Sequence, residues 1–300
     1  MTPLRSIAAA ALLALSGQAA TAQDRPEIMA VNYALQHFAQ TLVGDAAEVT
    51  FPVPAGVDPS FWRPSVSDIS AVQAADLILL NGAGFATWVD RVSLPRSRLL
   101  NTSRAITESY IVTESITHSH GDGGEHSHEG LASYTWLDPT LAAEQAAAIA
   151  GAIAQRDIAP AEDVFAALTN LTEALEALDA ETATALAGAA GLPLITTHPR
   201  YEYFAARYGL SLTDLEWEAG AAPDAGELAE LEAAAEETGA AILIWEAAPP
   251  AEAIAAVEAL GLTSVVFEPM AQTPSSGDFI AVYEAAVADL AAAISDRPAN

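Results

Sequence analysis

The densest chemistry in this sequence lies in THSHGDGGEHSHEG, residues 117–130. Four of the chain's six histidines fall here, His118, His120, His126 and His128. They form two His-x-His pairs separated by a Gly/Asp/Glu turn. Imidazole is the commonest protein ligand for zinc and also suits copper, nickel and iron. The glycines let the segment fold back so that both pairs can face one ion, and Asp122, Glu125 and Glu129 add oxygen donors. The expected chemistry is capture of a divalent metal. The competing reading is a solvated polar spacer, and a His-rich composition does not say which metal is held.

The elements that position such a loop follow from hydrophobic patterning. EIMAVNY at residues 27–33 reads as a strand, ALQHFAQTLVG as a helix and AEVTFPV as a strand. SDISAVQAADLILLNG runs from a helix into a buried strand at residues 77–80, and SRLLNTS gives another strand. Strands alternating with helices imply a parallel sheet covered on both faces, which the His-rich segment interrupts as a surface loop. A helix is expected over residues 141–154 and a longer one over 161–187. In the longer one Phe165, Leu168, Leu171, Leu175 and Leu178 recur at three- and four-residue steps, an amphipathic stripe. A second α/β unit follows, with strands LPLITT, LTDLEW, AAILIWE and TSVVFEP and helices between and after them. The fold class is therefore α/β, two lobes with mostly parallel sheets joined by a long spine helix. The expected boundaries are 23–158 for the first lobe, 159–188 for the spine and 189–300 for the second lobe.

Residues 1–22 pair Arg5 with an apolar run and an Ala-Thr-Ala end, which predicts a cleavable secretory signal peptide and a periplasmic protein. The run is short for a permanent membrane anchor. The sequence has no cysteine, so disulfides, thiolate metal sites and cysteine nucleophiles are excluded. Forty acidic residues against eleven basic ones, all arginine, give a formal net charge of −29. That charge argues against nucleic acid and anionic membranes as partners. No His-Glu-x-x-His, Gly-x-Ser-x-Gly or phosphate-cradling glycine loop is present, so no enzyme class is indicated. His37, inside a predicted helix, is expected to be packed or at the surface.

Several segments are similar to the periplasmic zinc/manganese-binding proteins of ABC importers. They are Gly56-Val57-Asp58-Pro59 with Pro64, Ser67 and Asp68; Ala75-Asp76-Leu77-Ile78; Asn81-Gly82; Trp136-Leu137-Asp138-Pro139; His198 with Tyr203-Phe204-Ala205 and Tyr208-Gly209-Leu210; and Glu268-Pro269. The resemblance covers essentially the whole chain after the signal peptide. It implies a metal held between two lobes by four side chains from four loops. Two of those positions carry Ser60 and Tyr134 here, both poor zinc donors, while His198 and Glu268 match the other two.

A His and a Glu do not make a four-ligand zinc site. Three readings stay open. The loop folds into the cleft and supplies imidazoles, with His126 and His128 closest in sequence to Tyr134; the site has moved to another ligand; or the protein no longer captures metal. His198 and Glu268 each follow an apolar strand, and ligands in open α/β sheets gather beyond the carboxyl ends of strands. Trp62, Trp136 and Trp217 are expected to close the lobe interface, and Arg63 and Arg200 to neutralise acids around the cleft. The expected function is capture of Zn2+, with Mn2+ or another divalent ion as a weaker cargo, and delivery to an inner-membrane ABC permease by a monomer that is not itself membrane-embedded. The alternative is a periplasmic metal chaperone or degenerate receptor.

Overall fold

The computed structural model describes residues 25–113 and 130–297 in full, and the backbone of residues 117–119 and 125–127. The expected signal peptide lies outside the described residues.

The first lobe is built from β1 (Glu27–Ala30), α1 (Tyr33–Val43), β2 (Glu48–Thr50), α2 (Val66–Ala74), β3 (Leu77–Leu80) and β4 (Leu99–Asn101). Its four strands are parallel in the order β2-β1-β3-β4. A short antiparallel hairpin follows, β5 (Thr117–Ser119) and β6 (Glu125–Ser127), then α3 (Pro139–Gln155) and the 25-residue α4 (Ala161–Ala185). The second lobe contains β7 (Pro193–Thr196), α5 (Glu202–Tyr208), β8 (Ser211–Asp214), α6 (Ala225–Thr238), β9 (Ile242–Trp245), α7 (Ala251–Ala259), β10 (Thr263–Val266) and α8 (Phe279–Ser295). Its strands are also parallel, in the order β10-β9-β7-β8.

The two sheets share one connectivity. In each, the first strand is internal, the second lies on one side of it, and the third and fourth lie on the other. The topological switch points are therefore β1/β3 and β7/β9, where an open parallel sheet leaves a crevice beyond its strand ends. Residues Leu77, Ile78 and Leu79 of β3 and Ile242, Leu243 and Ile244 of β9 are wholly buried, as strands covered on both faces require.

Helix α4 turns a stripe of Val164, Leu171, Leu175, Leu178 and Thr182 into the core, with Leu168 half-buried against it. These residues alternate four- and three-residue steps. Burying each of the leucines fully stabilises the fold by roughly 1.5–3 kcal/mol. Phe165 corrects the expected stripe. It is 47% exposed, because it stands one residue, about 100° of helix rotation, past Val164.

Motif residues are mostly structural. Ser65 and Asp68 form a capping box on α2, and Asp138 caps α3 with Pro139 at its first turn. At Gly82, which has a positive φ, a Cβ would run into Ser103 Oγ and Asn101 Oδ1. The lobes are tied by Trp136 Nε1 donating to Pro269 O (2.8 Å), Tyr283 OH to Leu137 O (2.8 Å) and Tyr33 N to Ala271 O (2.8 Å). Of the three tryptophans expected at the interface, Trp136 makes such a tie. Trp62 packs edge-on against Trp88 within the first lobe, and Trp217 packs on Trp245 within the second.

Candidate functional site

The switch point of the second lobe carries a polar cluster. The chain leaves β7 through Thr197, His198 and Arg200, and leaves β9 at Glu246. The Glu246 N–H donates to Thr197 Oγ1 (3.2 Å), which stitches the two exits together. His198 is 6% exposed. Its Nδ1 lies 3.3 Å from Trp217 O and 3.5 Å from Glu246 Oε1. A ring nitrogen held between a carbonyl and a carboxylate fixes the orientation of the imidazole, as outer partners do for metal-ligating histidines.

Arg200 is equally buried. Its Nη2 donates to Asp58 Oδ2 (2.6 Å) in the turn after β2, and its Nε to Glu246 Oε2 (3.2 Å). The guanidinium carbon stands 4.9 Å from the ring centre of Tyr134 and 5.9 Å from that of Phe61. Burial opposes charge on Arg200, but Tyr134, Asp58 and Glu246 outweigh it and hold the guanidinium above its ordinary pKa. Burial raises the Glu246 carboxyl, with Arg200 pulling the other way. The expected role of Arg200, neutralising acids at the cleft, is what the structure places there. Arg63 is exposed.

Ser60 and Tyr134, at the two positions where the resemblance implies histidines, meet on the first-lobe side of the cleft with Oγ and OH 3.3 Å apart. Burial, only partly offset by Arg200, pushes the Tyr134 hydroxyl well above its usual range, so it is a neutral phenol at physiological pH. Neither group is a strong zinc donor. Ser60 is paired with a phenol rather than an imidazole, which offers no activated nucleophile.

Glu268 is half-buried just beyond β10. It borders a surface pocket with Ser275, Ser276 and residues of α8, and burial alone raises its carboxyl. A carboxylate that does stand beside His198 is Glu246. The signal for it was available, since Glu246 ends the apolar strand AAILIWE as His198 follows LPLITT. His37 packs as expected, its ring stacked 5.9 Å from Phe279 and its pKa lowered by burial. Among the described residues no group of three or more His, Asp or Glu side chains is arranged to hold a metal.

The His-rich segment returns on itself. β5 and β6 pair with His118 and His126 as Cα partners, while His120 and His128 lie outside the described residues. Its two stems are paired by Thr113 N to Gly130 O (2.8 Å) and Ala132 N to Ile111 O (2.9 Å). A Cβ at Gly130 would collide with the Thr113 carbonyl oxygen, so only glycine permits this approach. The Tyr203 hydroxyl of α5 locks both stems, accepting from Ile111 N (3.3 Å) and donating to Ala132 O (3.1 Å). The loop is thereby rooted on the second lobe, on the helix that begins four residues after His198.

The family described as zinc-uptake complex component A, periplasmic, matches residues 28–293. The chain belongs to this family. It is 27% identical over 248 residues to the high-affinity zinc uptake system protein ZnuA of Bacillus subtilis, covering 80% of this chain and 76% of that protein. It is 28% identical over 236 residues to the zinc-binding lipoprotein AdcA of Streptococcus pneumoniae, covering 76% of this chain but only 46% of AdcA. The chain thus spans about half the length of that relative. Among solved structures, a crystal structure of ZnuA overlays with a TM-score of 0.71 at 25% identity, covering 90% of this chain and 99% of that one. Zn(II)-bound AdcA from Streptococcus pneumoniae overlays with a TM-score of 0.75 at 19% identity, covering 92% of this chain and 59% of that one. Both share the two-lobed α/β fold.

Proposed function

We propose that this protein is a periplasmic solute-binding protein that captures zinc with the imidazoles of its His-rich loop and of His198, and hands it to an inner-membrane ABC importer. It performs no catalysis. The observation that carries the reading is the Tyr203 anchor, which fastens both stems of the loop to the lobe that holds His198. Membership in a zinc-uptake family and the pairing of His198 Nδ1 with Trp217 O and Glu246 support the same conclusion. In this reading His118, His120, His126 and His128 supply the donors that Ser60 and Tyr134 lack, and Glu246 orients His198. Glu268 is the second carboxylate to test as a donor. An imidazole-rich set favours zinc over manganese, which prefers oxygen ligands. No helix among the described residues is long and apolar enough to cross a membrane. We place the chain as a monomer that follows export with residues 1–22 removed.

The test is zinc titration of tag-free protein, with and without residues 117–130, in competition with a chelator of known affinity. The expected result is one tight zinc per chain, weaker manganese, and loss of tight binding on deletion. Tight zinc binding that survives the deletion would overturn the shared site, and manganese binding as tight as zinc would overturn the cargo.

A further inference from the structure

The cleft between the lobes already contains a cation. Arg200 bridges Asp58 of the first lobe and Glu246 of the second, and the hydrogen bonds there leave neither carboxylate idle. Asp58 Oδ1 accepts from the Ser60 N–H (2.7 Å) and Oδ2 from Arg200 (2.6 Å). Glu246 Oε2 accepts from Arg200 Nε (3.2 Å), and Oε1 faces His198 Nδ1 at 3.5 Å. A guanidinium is suited to this place. It is planar, always charged, and presents several donors in a rigid fork, so one side chain can satisfy two carboxylates while its face rests on the Tyr134 ring.

The consequence concerns which ions can enter. Manganese, magnesium and calcium are held chiefly by carboxylate and carbonyl oxygens. With Asp58 and Glu246 both paired to Arg200, and the Tyr134 hydroxyl a buried phenol, such an ion finds none of these three oxygens available as an anionic donor. Zinc, which coordinates neutral imidazole readily, does not need them. We propose that Arg200 is a specificity-determining residue, a built-in counter-cation that occupies Asp58 and Glu246 and so denies the cleft to oxygen-preferring divalent ions. This rests on the zinc reading only in taking zinc as the cargo that Arg200 lets pass.

The experiment replaces Arg200 in protein lacking residues 117–130, so that only the cleft is read. Manganese binding is followed by loss of the free-ion paramagnetic resonance signal. Arg200→Met removes the charge while keeping an unbranched chain, and should bind manganese at least about tenfold more tightly than its parent, a change of the size that altering a metal site's surroundings brings. Adding Asp58→Asn should abolish that gain, which a merely loosened structure would not do. Arg200→Lys, whose compact ammonium cannot fork across both carboxylates, should show a smaller gain. Manganese binding unchanged in a folded Arg200→Met protein overturns the proposal. If Arg200→Met does not fold, unchanged binding in Arg200→Lys overturns it instead. Failure of the full-length protein to bind zinc would sink the function proposed above and leave the manganese result standing.

Discussion

Replacing Tyr203 with Phe separates an anchored loop from an untethered one. The side chain is 2% exposed, and its hydroxyl makes two hydrogen bonds, from Ile111 N and to Ala132 O. Phe keeps the ring and its packing. Losing both bonds and leaving backbone partners in a partly buried place costs about 1–3 kcal/mol. For a chain of this size each kcal/mol lowers the melting temperature by about 2–4 °C. The anchor is also what holds the loop against the second lobe. If zinc is shared between loop and His198, the same loss weakens zinc affinity by roughly 5- to 100-fold, since each 1.4 kcal/mol is tenfold. The assay is chelator competition for zinc affinity beside thermal unfolding without metal. Tyr283→Phe is the matched control. Its hydroxyl, wholly buried, donates to Leu137 O (2.8 Å) and contacts neither stem. That variant should lose about 1 kcal/mol of stability and keep its zinc affinity. A Tyr203→Phe protein that melts earlier yet binds zinc as tightly as its parent would refute the reasoning, as would an equal affinity loss in the control.

Zinc should raise the melting temperature of the wild type, by the equivalent of about 4 kcal/mol at a thousandfold excess over its dissociation constant. His198→Ala should abolish most of that shift, while His37→Ala, whose ring packs on Phe279, should keep it; Glu246→Gln and Glu268→Gln, run alongside, show which carboxylate contributes. A separate prediction concerns pH. Burial, with Asp214 adding to it, pushes the Glu202 carboxyl from 4.5 up to about 7. The folded state therefore holds this proton more tightly than the unfolded chain. The stabilisation is fully present below pH 4.5 and is lost as pH rises through about 7, a change of roughly 3 kcal/mol at 1.36 kcal/mol per pKa unit. Glu202→Gln should match the wild type near pH 4.5 and exceed its stability at pH 8, read from urea midpoints across that range. Parallel profiles for the two proteins would contradict it.

Periodicity was enough to place nearly every element in this sequence, because strand and helix patterns are local. A strand buried on both faces must be an apolar run such as LILL, and a helix against a core must repeat every three or four residues. Where the pattern failed, it failed by one position. Phe165 adjoins Val164, and on a helix with a narrow buried stripe such as α4 only one of the two points into the core, which the packed neighbours decide. The departures at Ser60 and Tyr134 were also visible in the sequence, as was the density of histidines at residues 117–130. The charged cluster that stands beside these two residues was not visible. Asp58, Arg200 and Glu246 are separated by up to 188 residues along the chain, and they meet because two sheets with the same connectivity turn their strand ends toward one cleft. The strand-end rule pointed to His198 and Glu268, but it is satisfied equally by Glu246. The order β10-β9-β7-β8 decides between them, since β9 is the neighbour of β7 and β10 is one strand further out. Likewise the sequence offered residues 117–130 as a candidate metal-binding loop, and only the packing of α5 ties its stems to the lobe that carries His198. Such contacts depend on side chains meeting across the fold, which no local pattern encodes.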